Sequence, residues 1–180
     1  AWMSNWQYAT VVPTENWRGA MTIPRELKLV KVNGQYILAS HPSEELNTIQ
    51  QKKTSFHNIN ATNFDLTSKI SLPSGAYKIN FNSKLIRPFK IAISNDKNET
   101  VLIGYDASEN KYYIDRSHSG IVSFEKGFAQ KSTAKRLEKS KGVNLTLVVD
   151  RSSVELFADD GLTVMTSIFF PTAPFTSIKI

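Results

Sequence analysis

The chain contains no cysteine. Disulfides, a thiol nucleophile, zinc–thiolate sites and iron–sulfur clusters are therefore excluded. Histidine is scarce as well: only His41, His57 and His118 occur, and no two have the i, i+4 spacing of a helical metal pair. No metal or other cofactor is expected. No run approaches the roughly 20 apolar residues of a membrane span, so no membrane partner is expected. The opening residues, Ala1 to Trp6, lack the basic-then-apolar layout of a secretory signal, and none is expected within this chain. Acidic residues are fewer than basic ones, 16 against 22, giving a net charge of +6 and a pI near 9.5. A basic balance invites a nucleic-acid reading. Much of the excess, however, lies between Lys126 and Lys141, a run expected to be a solvated loop or face. No nucleic-acid partner is expected.

With 180 residues, 41% hydrophobic and 21% charged, the chain has the composition of one globular domain, or of one domain plus an appendage. Strand patterns dominate. Residues 77–83 and 89–94 alternate apolar and polar side chains with the period of a half-buried strand. Further runs are expected at 100–105, 111–114, 143–149, 153–158 and 164–170, separated by polar turns such as Asp159-Asp160-Gly161. In the clearest pair, Leu145, Leu147 and Val149 share one face, and Val154 and Leu156 the matching face after the Arg151-Ser152 turn. Short strands with little helical periodicity point to an all-β fold, two antiparallel sheets packed face to face as a β-sandwich.

The first quarter differs. All three tryptophans, Trp2, Trp6 and Trp17, fall here, and so do three of the seven prolines. Such a concentration suits either a packed apolar corner or a wall that stacks on sugar rings. Residues 20–32 and 35–39 flank Asn33-Gly34, a strong hairpin dipeptide. A lone hairpin must lean on something else to be stable. Residues 44–51 are the best short-helix candidate, with Ser43 as N-cap. The boundary between the two regions is expected near residue 45.

Several blocks carry a family resemblance. Trp2-Met-Ser-Asn-Trp-Gln-Tyr8, Val12-Pro-Thr14 and Trp17 through Leu27 look like the end of the catalytic domain in glycoside hydrolase family 32, the levanases, inulinases and invertases. Val149 through Ala158, Met165-Thr-Ser and Phe170-Pro171 resemble the C-terminal β-sandwich of that family, as does Tyr113-Ile-Asp-Arg-Ser117 with Ser119-Gly120. The resemblance implies a five-bladed β-propeller bearing the active site, followed by a sandwich of the jelly-roll or concanavalin-like kind. Residues 1–45 would be the last propeller strands and linker, and residues 46–180 the sandwich. It also implies a fructan or sucrose-type β-fructoside as substrate of the parent enzyme and the chain's own propeller as partner. The parent would be secreted, periplasmic or at the cell surface.

Retaining glycoside hydrolysis needs two carboxyl groups about 5–5.5 Å apart, a nucleophile and a general acid. The family places them in Trp-Met-Asn-Asp-Pro-Asn-Gly and Glu-Cys motifs, with a further Asp in Arg-Asp-Pro. None of the three motifs occurs in this sequence. The resemblance thus implies a non-catalytic C-terminal portion with no catalytic residue of its own, serving as structural support. An independent fructan-binding module is the alternative.

Among candidate site residues, Trp2 matches the family position that walls the fructosyl pocket, and Asn5 carries an amide suited to sugar hydroxyls or to structural bonding. Arg25 and Glu26 are expected to form an ion pair between propeller and sandwich. Asp115-Arg116-Ser117 and Asp150-Arg151-Ser152 form a near-repeat with two readings. In one, Arg116, Arg151 and Glu155 make a sugar-contacting polar cluster. In the other, each triplet is a turn in which Asp caps backbone N–H groups. Ser117-His118 beside Asp115 does not make a hydrolase triad, because neighbours on a turn point apart and no Gly-x-Ser-x-Gly elbow is present. Asn60, Asn98 and Asn144 head Asn-x-Thr triplets, patterns that arise often by chance.

Overall fold

The computed structural model describes residues 1–60, 62–72 and 76–180. The Asn60 triplet includes Ala61, which lies outside the described residues. Eleven strands are described: β1 (Arg25–Val32), β2 (Gln35–Pro42), β3 (Tyr77–Ser83), β4 (Phe89–Ser94), β5 (Thr100–Asp106), β6 (Lys111–His118), β7 (Lys131–Lys135), β8 (Val143–Asp150), β9 (Ser153–Ala158), β10 (Thr163–Ile168) and β11 (Ser177–Lys179). The helix expected after Ser43 is a single 3-10 turn, Glu44–Asn47. Ser43 does not cap it, because its hydroxyl turns to the Glu45 carboxylate.

All strand pairs are antiparallel. β1 and β2 form a two-stranded hairpin, a four-stranded sheet runs β10-β9-β8-β3, and a five-stranded sheet runs β11-β4-β5-β6-β7. The two larger sheets pack face to face, as the alternation requires. Ile91, Ile93, Val101, Ile103, Tyr112 and Ile114 meet Leu145, Leu147, Val149, Val154 and Leu156 in one continuous buried core. Removing that apolar surface from water is the main driving force for the fold.

Two strands were not visible in the sequence pattern. β11 has only three residues, and β7 lies inside the basic run. As the edge strand beside β6, β7 keeps Lys131 and Lys135 exposed, where charge discourages pairing with other chains. The run is therefore not uniformly solvated. Arg136, directly after β7, is buried and donates through Nε to Asp159 Oδ2 at 3.0 Å and through Nη2 to the Gly142 carbonyl at 2.7 Å. The Tyr112 hydroxyl donates to the same Asp159 oxygen at 2.7 Å. A buried cation, anion and phenol thus tie the loop 136–142 to the end of the sandwich.

Burial, helped by the Asp159 carboxylate, raises the Tyr112 phenol well above its ordinary value of 10, and burial does the same for Tyr77. Both phenols stay neutral in the folded chain, whereas unfolded tyrosines ionise near pH 10. Their contribution to stability is complete below pH 10 and is lost as the pH rises beyond it. Denaturation midpoints should therefore fall as the pH rises above about 10. In a phenolate absorbance titration, two of the six tyrosines should ionise only as the chain unfolds.

Candidate functional site

The N-terminal region is joined to the sandwich through buried chemistry. Along β9, Val154, Leu156 and Ala158 enter the core, so alternation sends Glu155 and Phe157 to the outer face of the four-stranded sheet. That face should be wet, yet Glu155 is fully buried, because residues 23–25 and the hairpin lie across it. Glu155 accepts a hydrogen bond from the Ile23 N–H at 2.8 Å and pairs with the Arg25 guanidinium. Arg25 also donates to Thr166 Oγ1 at 2.9 Å and sits over the Phe157 ring. The partner of Arg25 is therefore Glu155; Glu26 pairs instead with Lys28 on its own strand. A second attachment runs from Ser40, whose N–H donates to the Gly161 carbonyl at 3.0 Å. Gly161 has φ of +74°, and a Cβ there would fall 2.3 Å from the Ser40 carbonyl oxygen, so this close approach requires glycine.

Residues 1–12 are held by a second, smaller core. Tyr8 and Val12 pack against Phe128, Ile168 and Phe170. Arg116 completes it. Its buried guanidinium lies 3.9 Å from the Phe128 ring centre, donates to the Phe128 carbonyl at 2.9 Å and to the Ile168 carbonyl at 3.2 Å, and faces the Tyr8 ring. Carbonyl oxygens and aromatic faces thus replace the water lost by this cation.

The three members of the polar cluster considered from sequence stand in different places. Arg116 lies in the small core, Glu155 is paired with Arg25, and Arg151 is exposed at the turn between β8 and β9. Asp150-Arg151-Ser152 is the expected turn, with Asp150 accepting from the Arg151 N–H. Asp115-Arg116-Ser117 is not a turn: it lies within β6, at a β-bulge opposite Val101. Neither do Asp115, Ser117 and His118 point apart. The bulge turns all three to the outer face, and Ser117 Oγ lies 2.6 Å from Asp115 Oδ1 and 3.1 Å from His118 Nδ1. Serine stands between the other two, so the carboxylate does not orient the imidazole as a hydrolase triad demands.

Trp2 and Trp6 form an exposed tilted pair, ring centres 5.1 Å apart. A Cβ on Gly19 would fall 2.5 Å from the Trp2 indole nitrogen, so the indole rests against bare backbone. Asn5 has a local structural duty: its Oδ1 accepts from the Gln7 N–H at 2.8 Å, and its carbonyl accepts from Tyr8 and Ala9. Beside the hairpin, Glu26, His41, Asn47, Lys78, Asn80 and Thr146 border a polar groove of about 260 Å³. Among the described residues no group of three or more His, Asp or Glu is placed to hold a metal ion.

The fold is a β-sandwich with a hairpin unit clamped to the outer face of its four-stranded sheet. The chain belongs to glycosyl hydrolases family 32: residues 43–180 match the model of the family's C-terminal domain, and residues 1–42 match that of its N-terminal domain. It is 37% identical over 175 residues to a levanase of Bacillus subtilis, an alignment covering 94% of this chain and 26% of that protein. To an extracellular exo-inulinase of Aspergillus awamori it is 34% identical over 178 residues, covering 96% of this chain and 33% of the relative. The crystal structure of exo-inulinase from Aspergillus awamori superposes with a TM-score of 0.79 at 30% identity, over 99% of this chain and 36% of that one. The chain thus spans about a fifth to a third of the length of the curated relatives it matches.

Replacing Arg25 by alanine leaves a buried carboxylate without its cation, and a loss of about 3–5 kcal/mol is expected in denaturant unfolding. Arg151→Ala, at the exposed turn, should stay within about 0.5 kcal/mol of the parent chain. Equal effects of the two would contradict the clamp.

Proposed function

We propose that the chain is the non-catalytic C-terminal portion of a fructan-hydrolysing enzyme, and that it supports the catalytic propeller of that enzyme. Residues 1–45 are read as the last propeller strands and linker, and residues 46–180 as the sandwich. The observation that carries this reading is the Arg25–Glu155 clamp. A buried ion pair between the two regions makes them one mechanical piece, so anything built onto the hairpin is anchored to the sandwich. Support also comes from one face of the hairpin. Leu27, Leu29, Tyr36 and Leu38 are more than half exposed on β1 and β2. Paired strands that present such a row on one face suit burial against further strands.

In the parent enzyme, Trp2 is read as a wall of the fructosyl pocket, presenting an indole face to the sugar ring, while Asn5 shapes the turn beside it. The substrate class is a fructan or sucrose-type β-fructoside, by analogy with the levanase and exo-inulinase relatives. Export of the parent follows from the same analogy, one relative being named extracellular. Arg116 and Glu155 are read as structural, since their bonds go to protein partners.

The purified 180-residue chain should release no fructose from sucrose, inulin or levan above a buffer blank. A longer polypeptide that includes the coding sequence upstream of Ala1 should hydrolyse at least one of them. Hydrolysis by the short chain would overturn the proposal, and so would an upstream sequence without the family's paired carboxylates.

A further inference from the structure

The outer face of the five-stranded sheet carries a concavity that the support role does not use. Its volume is about 330 Å³, and Asn98, Thr100, Leu102, Asp115, Ser117 and His118 line it. Its construction follows from the bulge in β6. A regular strand would send only alternate residues to one face; two residues, Arg116 and Ser117, opposite the single Val101 re-aim the chain. Arg116 points inward to the small core, as alternation from Asp115 requires, and the extra residue brings His118 outward to join Asp115 and Ser117 beside Thr100 and Leu102.

The polar groups are oriented before any ligand arrives. Asp115 Oδ1 accepts from both the Ser117 N–H at 2.9 Å and the Ser117 hydroxyl at 2.6 Å, which fixes the carboxylate plane. Since Ser117 gives its proton to Asp115, its oxygen accepts from His118 Nδ1 at 3.1 Å. With Nδ1 turned to Ser117, the other ring nitrogen, Nε2, is the one left to meet a ligand. Asp115 Oδ2 takes part in neither bond to Ser117, and Asn98, Thr100 and Leu102 complete the lining. Neighbouring acceptors match the hydroxyls of a vicinal diol, and an apolar contact matches the C–H face of a sugar ring. The volume is at the small end for a small-molecule site, which suits one or two rings.

We propose that this concavity is a saccharide-binding site on the outer face of the sandwich, separate from the tryptophan-bearing N-terminal region, and that it recognises paired hydroxyls through Asp115 and His118. The site rests on the family reading only for the choice of probe. Hydrolysis by the longer enzyme, or its absence, does not bear on it.

The three histidines provide the test. The full 180-residue chain is titrated with a short β-fructan oligosaccharide, and the imidazole resonances are followed by nitrogen–proton correlation spectra. A saturable shift of His118, with His41 and His57 unmoved, is the expected result. His41 borders the groove beside the hairpin, so a shift of His41 instead would move the sugar there and overturn the proposal. The absence of any shift at tens of millimolar sugar would overturn it as well. Asp115→Asn keeps the acceptor for Ser117 but puts an amide donor in place of the second oxygen, and should weaken binding about tenfold or more. Unchanged His41 and His57 signals report that this variant is folded. Unaltered affinity in Asp115→Asn would likewise overturn the assignment.

Discussion

The structure depends on the burial of one carboxylate. Glu155 sits in the centre of a sheet, on the side that a free sandwich would expose to water, and it is dehydrated by the N-terminal residues that cross over it. A dehydrated anion is tolerated only with a cation and hydrogen bonds around it. Arg25 and the Ile23 N–H supply them. The same contact therefore fixes where the hairpin sits on the sandwich, since only in that position do the dehydrated carboxylate and its cation meet. The Tyr8 and Arg116 core secures the residues before the hairpin, so the N-terminal region is held at two separated places.

Much of this was legible in the sequence. The strands at 77–83, 89–94 and 153–158 form with the limits that alternation sets, and the hairpin turns at Asn33-Gly34, where φ is positive at both residues. The near-full-length family resemblance also stands. Edge elements were not legible. β7 is a lysine-bearing strand with one partner, so its pattern reflects solvent and negative selection against pairing rather than a core. β11 is too short for any period to show.

The candidate site was harder to read, because a strand pattern tells which face a side chain takes but not what covers that face. Glu155 occupies a formally solvent-facing position on β9, and a segment more than a hundred residues earlier covers it. One signal pointed the other way: Phe157 shares its face, and an aromatic beside a carboxylate on a supposedly wet surface suggests a covering layer. The bulge was hidden for a similar reason. Alternation alone puts Asp115 and Ser117 on one face and His118 on the other, and only the two-against-one pairing with Val101 brings His118 across.

The two outer faces of the sandwich thus have different fates. On the four-stranded sheet, β9 is buried on both sides, Val154, Leu156 and Ala158 in the core and Glu155 and Phe157 under the N-terminal region. On the five-stranded sheet, β5 and β6 keep polar side chains at the surface, arranged by hydrogen bonds among themselves rather than by a covering segment. A face that is already occupied can transmit force between domains but cannot admit a ligand. An open face with preset polar groups can admit one without disturbing the attachment. The proposed support and the proposed recognition would lie on opposite sheets, and a ligand on the five-stranded sheet would touch neither Arg25 nor Glu155.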